Sequence, residues 1–113
     1  MKPLVCTMLL LPNLAFALEC TFTTECYENE ACQETAYELT LTRSDDYQSA
    51  EVESVTGTFK TQAYNFQGMS SYAGFTDNTL HLISHSANGD ARYAVHTGDQ
   101  NGVSMITYLG TCQ

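Results

Sequence analysis

The chain has 113 residues, with 13 Asp+Glu against 4 Lys+Arg, a formal charge of −9, 43% hydrophobic residues and 11% aromatic. That is room for one small domain, and it is too apolar to remain a disordered polyelectrolyte. Four basic residues cannot neutralise a run of phosphates, so nucleic acid is excluded as a partner class.

Met1-Lys2 places a positive charge ahead of the apolar run Leu4–Leu11, and Ala15-Phe16-Ala17 supplies a small-x-small site. These are the parts of a secretory leader, predicted over 1–17, with a single domain over 18–113. The apolar run, broken by Pro12 and Asn13, is well short of the roughly 20 residues of a membrane-spanning helix. Glu19 precedes Cys20 and Val5 precedes Cys6, so the small residue that lipid attachment requires is missing, and no stable membrane insertion is expected. The expected location is across the inner membrane, periplasmic or extracellular. Loss of the leader removes Lys2 and Cys6, which makes the domain more acidic and leaves Cys20, Cys26, Cys32 and Cys112. An even number of cysteines in an oxidising compartment predicts two disulfides. The even spacing of the first three does not fit a zinc knuckle.

Along the domain, Thr, Tyr, Val and Phe alternate with a period of two, the signature of half-buried strands. Cys20 and Phe22 mark a first strand, and Tyr37, Leu39 and Leu41 a second that ends at the turn Arg43-Ser44-Asp45-Asp46. Ala50 and Val52 mark a third, running towards Val55, with Glu51 and Glu53 on its wet side. Gly57 marks a turn or bulge. Phe59 opens a fourth, and the pattern specifies no register for 57–78. The aromatic residues Tyr64, Phe66, Tyr72 and Phe75 there are read as core filling, with the lining of an apolar pocket as the alternative.

Asn88-Gly89 and Asn101-Gly102 are strong hairpin signals. Read as a two-residue turn, Asn88-Gly89 sets Leu80, Leu82, Ser84, Tyr93, Val95 and Thr97 on the buried face. The outer face then has His81 opposite His96, His85 opposite Arg92 and Ile83 opposite Ala94. A matching turn at Asn101-Gly102 places Tyr108 opposite Val95 and Ile106 opposite Thr97, with Cys112 on the inward parity. The predicted fold is all-β: one small antiparallel meander of about seven or eight strands, closed or nearly closed into a barrel, with a tight sandwich as the alternative. Closure brings Cys20 in the first strand to Cys112 in the last, and leaves Cys26 and Cys32 to close the acidic loop 27–31.

This layout, a cysteine in the first strand and a final strand ending Tyr108-Leu109-Gly110-Thr111-Cys112, resembles the small periplasmic β-barrel inhibitors of c-type lysozyme, the membrane-bound lysozyme inhibitor family. The resemblance covers the whole domain as a layout. It implies a non-enzymatic barrel that presents a Ser/Gly/Tyr loop to a basic lysozyme. Ser70-Ser71-Tyr72-Ala73-Gly74-Phe75 lies in a comparable place but departs from the order of the family's motif, so Ser70, Ser71 and Tyr72 are only candidates for partner binding.

Two chemical constellations remain. His81 and His96, with His85 nearby, could share a Zn²⁺ or Cu²⁺ ion if they are cross-strand neighbours; a solvated polar face is the plainer account. Glu28 and Glu30, with Glu25 and Glu34, form an acidic loop that lacks the ligand order of a Ca²⁺ site and is read as solvated charge, with Glu28 and Glu30 as candidates for contact with a cationic protein. No nucleophile elbow, phosphate loop or metalloprotease motif occurs in the sequence. The expected function is therefore an exported, non-enzymatic binding domain, with no cofactor and a partner the sequence does not identify; a macromolecular partner is expected to be cationic. A lysozyme inhibitor and a metal-binding protein are the alternatives.

Overall fold

The computed structural model describes residues 16–113, so the leader prediction falls, up to residue 15, outside the described residues. Eight antiparallel strands follow one another as neighbours and close into a barrel: β1 (Phe16–Tyr27), β2 (Gln33–Arg43), β3 (Ser49–Ser54), β4 (Gly57–Phe66), β5 (Met69–Thr76), β6 (Thr79–Ser86), β7 (Asp90–Asp99) and β8 (Gly102–Cys112). Closure pairs β8 with β1 and leaves no free edge. No helix among the described residues is long and apolar enough to cross a membrane.

Alternation builds the interior. Leu39 and Leu41 of β2 and Ala50 and Val52 of β3 point inward, while Glu38, Glu51 and Glu53 remain exposed. An eight-stranded barrel is just wide enough for its inward side chains to fill it. Here Phe22, Val52, Tyr72 and Ile83 are completely or almost completely buried. The buried side chain of Thr61 gives its hydroxyl hydrogen to the Ala50 carbonyl oxygen at 2.8 Å, which satisfies both groups.

Cys20 is paired with Cys112 across the closing seam and bonded to it, and Cys26 is bonded to Cys32, as closure predicted. Gly110 makes the seam possible. It lies opposite Phe22, beside the bulge between Phe22 and Thr24, where a methyl group would collide with the Thr21 carbonyl.

The β6–β7 hairpin corrects the predicted register. The loop has three residues, Ala87-Asn88-Gly89, with Gly89 at φ +96° donating its N–H to the Ser86 carbonyl at 3.0 Å. Gly89 thus occupies the left-handed position that follows a tight turn, rather than the second place of a two-residue turn. The resulting one-residue slip exchanges the faces of β6. His81 lies opposite Val95, Leu80 opposite His96, Ile83 opposite Tyr93 and His85 opposite Ala91. His81, Ile83 and His85 turn inward, and Leu82 is 37% exposed.

The β7–β8 hairpin is displaced by two residues. Asp99 pairs with Gly102, so Tyr93 faces Tyr108 and Val95 faces Ile106. The Asp99 carboxylate accepts the Asn101 N–H at 2.7 Å inside this turn. A shift of two conserves parity, so Tyr93, Val95, Ile106, Tyr108 and Cys112 keep the inward face expected of them.

Candidate functional site

One end of the barrel is formed by the start of β1, the turns 44–48, 67–68 and 87–89, and the end of β8. Arg43 closes β2 there, on the same inward parity as Leu39 and Leu41. Its guanidinium Nη2 donates to the Tyr72 hydroxyl at 2.6 Å. The guanidinium carbon stands 5.3 Å from the centre of the Tyr47 ring and 5.7 Å from that of Tyr72, so the two rings hold the cation by their faces. The Tyr72 hydroxyl also lies 3.1 Å from His85 Nε2, and the two rings stack at 5.6 Å. These three polar groups and the apolar Leu18, Leu41 and Ala50 line a cavity of about 140 Å³. Burial, then the neighbouring Arg43 charge, lower the pKa of His85.

Deeper in the barrel a second polar group is closed on itself. His81 Nδ1 lies 2.8 Å from the Tyr93 hydroxyl and Nε2 lies 2.8 Å from Thr76 Oγ1, while the ring packs 4.2 Å from Phe59. Burial lowers the His81 pKa and raises that of Tyr93. Tyr37 stacks on Tyr93 and Tyr108 and donates its hydroxyl hydrogen to Ser54 Oγ at 3.0 Å. Every imidazole nitrogen of His81 has a hydroxyl partner, which is how a core histidine is satisfied.

The predicted metal face does not form. His81 and His85 point inward on β6, His96 points outward on β7 opposite Leu80 and Met105, and the pairing of His81 with His96 is lost with the register. Among the described residues, no group of three or more His, Cys, Asp or Glu is placed to hold a metal ion. The predicted inhibitor-like loop is likewise a strand. Ser70–Phe75 lies within β5, Tyr72 is 1% exposed, and Ser71 Oγ is 2.7 Å from Ser84 Oγ of β6. Tyr72 therefore cannot reach a macromolecular partner. Of the aromatic residues read as core, only Tyr72 is buried, whereas Tyr64, Phe66 and Phe75 stand exposed on the outside. Glu28 and Glu30 are exposed in the loop that the Cys26–Cys32 bond closes. At the same end, hydrogen bonds from Tyr27 and Thr35 hold the Glu25 carboxyl below its ordinary pKa.

The sequence pattern puts Arg43 in the turn Arg43-Ser44-Asp45-Asp46. Its place two residues beyond Leu41, on the parity of Tyr37 and Leu39, is the signal that assigns it to the interior.

The outer surface is divided by charge. Glu19, Glu38, Glu51 and Glu53 point outward from β1–β3, with Glu28, Glu30 and Glu34 at one end of these strands and Asp45 and Asp46 at the other. The outward residues of β5–β8 are mostly uncharged, among them Phe75 at 74% exposure, Leu82 and Val103 at 71%. Arg92 and Asp90, joined by an ion pair at 2.8 Å, are the exception. Compared with protein-family models and with curated proteins, the chain matches none.

Proposed function

We propose that this protein is an exported, non-enzymatic binding domain that meets a cationic protein through the outer face of β1–β3. Two disulfides suit an oxidising extracytoplasmic compartment. The observation that carries the reading is the division of charge: ten of the thirteen carboxylates, Glu19, Glu25, Glu28, Glu30, Glu34, Glu38, Asp45, Asp46, Glu51 and Glu53, lie on β1–β3 and the turns that join them. Such a face steers a positive partner and repels an anionic one. Among the described residues, the only outward cation next to it is Lys60, paired in register with Glu51.

Basic lysozyme is the partner that the resemblance in layout implies. With Tyr72 inside the barrel, the contact falls on the acidic face and not on a Ser/Tyr loop. The test is binding of the oxidised protein to a basic lysozyme and to other cationic proteins over a salt series. Binding that weakens steadily as the screening length falls to about 8 Å at physiological strength supports the reading. Partners recovered only from the neutral and acidic proteins of a secretory extract would overturn it.

A further inference from the structure

We propose that Asn101, in the turn between β7 and β8, is a site of spontaneous modification: it loses its side-chain nitrogen as ammonia and becomes aspartate or isoaspartate, while Asn88, in the same Asn-Gly sequence, is protected by the fold. The reaction needs a side-chain amide free to swing onto the backbone nitrogen of the next residue. Asn29, Asn65 and Asn78 are followed by Glu30, Phe66 and Thr79, whose side chains crowd that nitrogen. Asn88 and Asn101 precede glycines, which have no side chain to do so.

The two turns hold these asparagines differently. Asn88 Oδ1 accepts from the Ser86 hydroxyl and from the Asp90 N–H, the latter at 3.0 Å. Its neighbour is fixed as well: the Gly89 carbonyl accepts the Cys112 N–H at 2.8 Å, and the Cys112 carbonyl oxygen stands 3.1 Å from where a Cβ on Gly89 would lie. Asn101 has neither restraint. Its backbone N–H goes to the Asp99 carboxylate at 2.7 Å, but its side-chain amide is hydrogen-bonded to no group among the described residues. Asn101 and Gly102 are both exposed, and a Cβ on Gly102 would meet nothing within 4 Å. Asn88 must give up both of its side-chain hydrogen bonds before Cγ can turn, which at the ordinary net strength of such bonds slows the reaction about tenfold or more.

The chemistry begins with attack of the Gly102 nitrogen on Asn101 Cγ. The N–Cγ bond forms, the Cγ–Nδ2 bond breaks, and ammonia leaves with the proton that the Gly102 nitrogen gives up; a cyclic imide remains. Water then opens the imide at either carbonyl. One opening gives aspartate, and the other gives isoaspartate, in which the side-chain methylene has entered the main chain. Water is the sole co-reactant, and nothing is oxidised or reduced. Both products place a new carboxylate near Asp99, on the less acidic side of the surface. Isoaspartate also lengthens a turn whose flanking residues, Asp99 and Gly102, pair directly.

The test is peptide mass mapping of the oxidised protein through a time course in mildly alkaline buffer, beside the reduced chain in urea. In the folded protein Asn101 should convert about tenfold or more faster than Asn88, to a mixture of aspartate and isoaspartate. In urea the two rates should agree within about twofold, because each asparagine then faces only its glycine. Ser86→Ala, which removes one of the bonds to Asn88 Oδ1, should speed Asn88 about threefold or more and leave Asn101 unchanged. Equal rates in the folded, unaltered protein would overturn the proposal, whether or not the variant folds. So would faster conversion of Asn88, a difference that persists in urea, or an Asn101 that stays intact while the unfolded chain reacts.

Discussion

The imidazole of His81 and the hydroxyl of Tyr93 meet at 2.8 Å inside the barrel, one strand apart, and this contact exists only because β6 is turned by one residue from its simplest hairpin register. The same turn brings His85 to Tyr72 and Arg43. The two histidines become interior groups, and their protonation becomes a property of the fold.

Stability should therefore fall on mild acidification. Both histidines have folded pKa values lowered from 6.5, chiefly by burial. Above that value neither the folded nor the unfolded chain is protonated there, and their contribution is fully present. As pH falls below it, the unfolded chain takes up protons that the folded barrel resists, so stability declines until the folded pKa values are passed. Thermal unfolding between pH 7.5 and 5 should show a falling Tm, and the fall should shrink in His81→Gln. An unchanged profile in that variant would contradict the buried neutral imidazole.

The two disulfides should differ in weight. Cys20–Cys112 closes 92 residues of sequence separation and Cys26–Cys32 only 6. In the chain-entropy treatment the long bridge contributes about 4–5 kcal/mol and the short one about 2. Denaturant midpoints of Cys20→Ser/Cys112→Ser and Cys26→Ser/Cys32→Ser should follow that order. The reverse order would mean that the seam is held chiefly by its β1–β8 pairing.

Adjacent residues of β6 should respond oppositely to substitution. Ile83 is fully buried and Leu82 is 37% exposed. Ile83→Ala should cost about 2–5 kcal/mol, while Leu82→Ser should stay within about 1 kcal/mol. The reverse order of costs in chemical denaturation would restore the register of a two-residue turn.

Where one face of a strand is apolar and the other charged, its orientation was legible in the sequence. Leu39 and Leu41 against Glu38, and Val52 against Glu51 and Glu53, admit one reading. Closure followed from the run of short strands and from the parity shared by Cys20 and Cys112. β6 carries no such contrast, because Leu80 and Leu82 lie on one face and Ile83 on the other, with histidines on the latter. Its orientation rests on whether Gly89 ends a two-residue or a three-residue loop, a choice between two local conformations of similar sequence preference. The polar end of the barrel was hidden for a related reason. Arg43 reads as part of a turn, and only neighbours brought from β5 and β6 make it an interior group.

The outer charges carry the proposed function. Charge reversal of Glu51 and Glu53, measured against reversal of Asp77 and Asp99 at the turns of the less acidic side, compares the two halves of the surface with equal changes in net charge. With a basic lysozyme at low salt, loss of about tenfold or more in affinity for Glu51→Lys/Glu53→Lys, and less than about threefold for Asp77→Lys/Asp99→Lys, is the predicted result. Equal losses in the two variants would show that net charge alone attracts the partner, and would contradict a binding face on β1–β3.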